Sequence, residues 1–107
     1  MSPRAFRRFE VLLPKKFNDG TMVPAETIDL TLRELKERFG GVSAETQDIQ
    51  GFSLHQGQGV TDDLLRIFVD VEDTQEHLTF FTELKERLKV RFQQVDIWLV
   101  THPLEVL

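Results

Sequence analysis

No cysteine occurs among the 107 residues. That single absence excludes disulfides, thiolate zinc sites, iron–sulfur clusters and cysteine nucleophiles. Length leaves no room for a second domain, so one core must serve the chain, read as a single domain over 1–107 with residues 1–5 as an N-terminal arm. A long apolar run is also missing: "MSPRAFRRFEVLLP" reaches Pro14 after too few apolar residues for a signal sequence or a membrane span. The expectation is a soluble, cytoplasmic protein. Excess positive charge is absent too, since the net charge is -5, which disfavours nucleic acid and anionic membrane as partners. The charge is uneven, with Arg4, Arg7, Arg8, Lys15 and Lys16 against Glu10 in the first 16 residues.

What is present is periodic. In "RRFEVLLP", Phe9, Val11 and Leu13 alternate with Arg8, Glu10 and Leu12, the period of a half-buried strand closed by Pro14. After the Asn-Asp-Gly loop, Pro24 suits a first helical turn. Ile28, Leu32, Leu35 and Phe39 then recur at helical spacing, with Lys36 and Arg38 near the end and Gly40-Gly41 as the stop. A second helix is predicted from a capping pair, Asp73 and Glu76, to about Val90, with His77, Phe81, Leu84 and Leu88 on its apolar arc. Between the helices, Phe52 and Leu54 alternate with Ser53 and His55, and "LLRIFVDV" (64–71) puts Leu65, Ile67, Val69 and Val71 on one face. The segment 42–51 carries no clear period. The last strand is read as "VDIWLVTH", 95–102, with Val95, Ile97 and Leu99 facing the core and Pro103 forcing it to an edge or an end.

The order strand, helix, strand, strand, helix, strand fits an α+β fold of split βαβ, ferredoxin-like type. Both helices then cover one face of a four-stranded antiparallel sheet, and right-handed crossovers make the first and third strands the central pair. "ELKERF" (34–39) and "ELKERL" (83–88) recur at equivalent places, as two related halves would show.

The apolar sets must face the helices, which leaves Glu10, Leu12, Ser53, His55, Arg66, Phe68, Asp70, Asp96, Trp98, Val100 and His102 for the open face. In simple register His55 lies opposite Arg66, and Ser53 opposite Phe68. Leu12, Phe68, Trp98 and Val100, with His102 beside them, form an apolar set large enough to call for a cover: a second copy of the sheet, a small apolar ligand or a partner protein. His55, Gln56, Asp62 and Asp63 contain an oxygen/nitrogen ligand set and one acid–base group; the bland reading is a hairpin turn. Gly57 and Gly59 lack the following helix of a phosphate cradle, and the open face lacks the Lys/Arg-Gly-aromatic pattern of the RNA recognition motif. No cofactor or metal is expected.

The layout, with "RFEVLLP", "LKERFGG" and "RFQQVDIWLV" leading into the last strand, resembles small uncharacterised bacterial proteins of ferredoxin-like shape. It is also similar to the subunits of dimeric α+β barrels, a group that includes cofactor-independent monooxygenases and small isomerases. That resemblance implies a cavity between paired sheets in which a polar residue, often a histidine, handles an aromatic or lactone substrate; here His55 and His102 are the candidates.

Two functions follow. One is a homodimeric binding or interaction module that uses the open face. The other is a small enzyme with His55 as general base, Arg66 as anion partner and Glu10 beside them, contacting an apolar substrate through Phe68 and Trp98.

Overall fold

The structure, a computed structural model, describes residues 4–45, 49–55 and 58–107, with side chains over 5–45 and 63–107. Alternating sequence becomes strand and 3.6-periodic sequence becomes helix, in the order β1 (Arg4–Pro14), α1 (Ala25–Phe39), β2 (Ser43–Ala44), β3 (Ile49–His55), β4 (Gln58–Glu72), α2 (Gln75–Arg91) and β5 (Leu99–Val106). β1 and β4 pair antiparallel at the centre from Phe6↔Glu72 to Pro14↔Leu64. β5 flanks β1, while β2 and β3 both pair antiparallel along the other edge of β4. This is the ferredoxin-like arrangement expected of the element order.

The core lies between sheet and helices. Phe9, Val11 and Leu13 from β1 and Ile67, Val69 and Val71 from β4 are buried against Leu35 of α1 and Phe81, Leu84 and Leu88 of α2. Phe81 stacks on Phe9 at 4.1 Å between ring centroids and on Phe39 at 5.3 Å. The equivalent leucines of the two repeated hexamers, Leu35 and Leu84, are both buried. Glu34 of the first hexamer accepts from Arg87 of the second at 2.7 Å and from Arg91 at 3.0 Å. Burial works to raise the Glu34 carboxyl, yet hydrogen bonds from both arginines and their charges outweigh it and hold the group below the usual glutamate range.

Helix ends follow local chemistry. Gly40 takes the left-handed conformation at φ 82°, and its N–H donates to the Lys36 carbonyl at 2.8 Å. At α2 the cap is Thr74 rather than Asp73: the Thr74 hydroxyl accepts from the His77 N–H at 3.2 Å, and Asp73 instead accepts from Arg7 Nε at 3.0 Å.

Several boundaries move. Arg4 and Ala5 are paired with Val106 and Glu105 and so belong to β1, not to an arm. β4 begins at Gln58, six residues before the predicted start, because Gln58 to Asp63 continue the ladder with β3. The register therefore sets His55 opposite Gln58 and Ser53 opposite Val60, not opposite Arg66 and Phe68. β5 runs through Pro103 to Val106. Since Leu12 N–H donates to the Trp98 carbonyl at 3.0 Å, alternation along the β1–β5 ladder makes Arg7↔Pro103 a non-hydrogen-bonded pair. Proline there loses no bond to β1. Residues 95–98 precede the strand, and Val95, read as a core position, is 92% exposed; Ile97 is buried.

Candidate functional site

The helix-free face of the three adjoining strands β4, β1 and β5 carries a three-by-three array. Cross-strand pairing sets Arg66, Leu12 and Trp98 in one row, Phe68, Glu10 and Val100 in the next, and Asp70, Arg8 and His102 in the third. The pleat sends every second residue to this side, so the array follows from the same alternation that fills the core.

Its charges are paired within the face. Arg8 donates through Nε and Nη2 to the two oxygens of Asp70 at 2.7 and 2.9 Å. Arg66 donates to Glu10 at 2.5 Å and to Glu45, just beyond β2, at 2.6 Å. Both guanidiniums also lie over the Phe68 ring, with their central carbons 4.2 Å (Arg8) and 4.8 Å (Arg66) from its centroid. Hydrogen bonds from Arg8, only partly opposed by desolvation and helped by its charge and that of His102, hold the Asp70 carboxyl below the usual aspartate range. The Glu10 and Glu45 hydrogen bonds raise Arg66 against a desolvation cost.

This arrangement divides the apolar set read from sequence. Phe68 is sandwiched by arginines and half-buried. Leu12 and Val100 are half-buried beside it, His102 is exposed, and Trp98 stands 62% exposed at the end of the β5 column. Glu10 and Arg66 meet. His55 is separated from Arg66 by eight positions along β4, about 26 Å at strand rise. Its side chain, with those of Gln56 and Asp62, lies outside the described residues. Among the described residues no three His, Asp or Glu side chains converge as a metal site, and no helix is long and apolar enough to cross a membrane. Sequence reasoning missed Arg8, Asp70 and Glu45 as partners on this face. The first two were legible from strand alternation, whereas Glu45 depends on β2 placing its backbone N–H on the Arg66 carbonyl at 2.9 Å.

At one end of the array a cleft of about 400 Å3 opens between Trp98, the Phe17–Gly20 turn and Asp63, with Leu12, Leu64 and Ile97 beneath.

No family model and no curated protein sequence matches the chain. Solved structures do. A divalent cation tolerance protein, Cut A1 from Thermus thermophilus, superposes with a TM-score of 0.63 at 20% identity, covering 92% of this chain and 84% of that one. CutA from Synechococcus elongatus gives 0.64 at 12% identity over 98% and 81% of the two chains. The fold is CutA-like. A phage SAM lyase in complex with S-methyl-5'-thioadenosine also superposes on this chain, with a TM-score of 0.62 at 16% identity over 91% of this chain and 90% of that one. At such identities these likenesses establish the fold and carry no activity with them.

Proposed function

We propose that the protein is a self-associating binding module that covers the open face of its sheet with a second copy of itself. One observation carries the reading: Trp98 is 62% exposed beside the half-buried Leu12 and Val100, on a face whose arginines are already paired. Covering that face would strand no isolated charge, the usual obstacle to burying arginine. Covering one indole contributes roughly 2–3 kcal/mol per subunit, and tryptophan and arginine are the residues that most often anchor interfaces. The enzymatic alternative, with His55 as base and Arg66 and Glu10 as its partners, has less support, because Arg66 is engaged by two carboxylates and the register sets His55 opposite Gln58.

Light scattering at micromolar concentration tests the proposal. The wild type should run as a homo-oligomer, and Trp98→Glu as a monomer with an unchanged circular dichroism spectrum. A wild-type monomer would remove the basis for self-association.

A further inference from the structure

The cleft beside Trp98 is built rather than incidental, because each of its walls is pinned. Leu12 N–H holds the Trp98 carbonyl at 3.0 Å, and Lys15 N–H holds the Asp63 carbonyl at 3.0 Å. The turn between them closes on itself through Phe17 N–H to the Thr21 carbonyl at 2.8 Å, and Asp19 accepts from both the Thr21 N–H and hydroxyl at 2.9 and 2.6 Å. The Asn18 amide reaches the Gln93 carbonyl at 3.5 Å, tying that turn to the segment after α2. A preformed cleft of about 400 Å3 is within the size range of small-molecule sites.

Its chemistry is selective. The indole of Trp98 offers an aromatic face on one side, and Leu12, Leu64 and Ile97 make the base apolar. The rim carries Asp63 and Asp96 with the amides of Asn18 and Gln94, a set rich in acceptors. Charge at the rim is balanced: Lys16 stands 3.8 Å from Asp63, and Lys85 pairs with Asp96 at 3.1 Å. An added anion would disturb that balance and meet two carboxylates.

We propose that this cleft binds a neutral, flat heteroaromatic molecule of about nucleoside size, stacked on Trp98 and donating hydroxyl or amino hydrogens to Asp63 and Asp96. The cleft shares Trp98 and Leu12 with the face proposed for self-association, so adenosine and a second copy compete for Trp98. Neither aspartate belongs to the three-by-three array, and the aspartate variants therefore test the cleft alone.

Adenosine and adenosine 5'-monophosphate serve as probes for the intact chain, by calorimetry and by the fluorescence of Trp98, the one tryptophan present. Adenosine should bind with a sub-millimolar dissociation constant and change the Trp98 emission. Asp63→Asn and Asp96→Asn should each weaken it by about tenfold, the usual effect of losing a charge-assisted hydrogen bond, and the monophosphate should bind several-fold more weakly than adenosine. Light scattering on the same variants should show their association state unchanged, which separates failure here from failure of the self-association reading. Absence of adenosine binding at millimolar concentration, equal affinity in both aspartate variants, or a monophosphate as tight as the nucleoside would each overturn the assignment.

Discussion

Phe68 illustrates how a single residue can be apolar, outward-facing and still protected. The pleat turns it away from the helices, and two guanidiniums fixed by Asp70, Glu10 and Glu45 close over its ring. Replacing Arg66 by Ala removes one of those covers and leaves Glu10 and Glu45 without their shared cation, so a loss of roughly 1–2 kcal/mol in denaturant unfolding is expected. The carboxylates also set a pH dependence. Asp70 and Glu34 both titrate below their ordinary ranges in the folded chain. Their contribution is therefore complete above the unfolded-state values, near pH 4, and is lost as the pH falls through the lower folded-state values. Unfolding measured from pH 5 down to pH 2 should fall less steeply in Asp70→Asn and Glu34→Gln than in the wild type, and an unchanged slope would show that these pairs do not act on stability.

At the scale of the elements, local signals and tertiary context part company. The helices were legible almost to the residue, because an apolar arc at 3.6-residue spacing has no competing interpretation when a left-handed glycine follows it, as Gly40 follows Phe39. The α2 cap was displaced by one residue since Asp73 and Thr74 both suit the position and only the Arg7 contact, 66 residues away in sequence, decides between them. Thr74→Ala should accordingly lower stability by about 1 kcal/mol, while Asp73→Ala should leave the helix start intact; thermal unfolding with helical ellipticity distinguishes the two. The strands were harder. Alternation gave the faces of β1 and β4 but not the register of β3, because "GQGVTDD" carries turn-forming glycines and aspartates and still continues a ladder from Gln58. The candidate site was legible to the same degree: Glu10 and Arg66 meet as alternation implies, whereas the position of His55 depended on a register that short-range pattern does not specify.

At the scale of the whole molecule, one sheet separates two environments, a helix-packed side with stacked phenylalanines and an open side with paired charges and Trp98. Pro103 bears on which of its borders can be used by a second chain. In β5 the residues at non-hydrogen-bonded positions aim their N–H groups outward, and these are Leu99, Thr101, Pro103 and Glu105. Proline has no hydrogen to give, so the row of donors along this border is broken in its middle and cannot template an uninterrupted ladder with another strand. Restoring the donor with Pro103→Val completes the row, and that variant should form thioflavin-positive fibrils faster than the wild type under mild heating. The proline thus acts as a gatekeeper that closes this border of the sheet to open-ended strand addition.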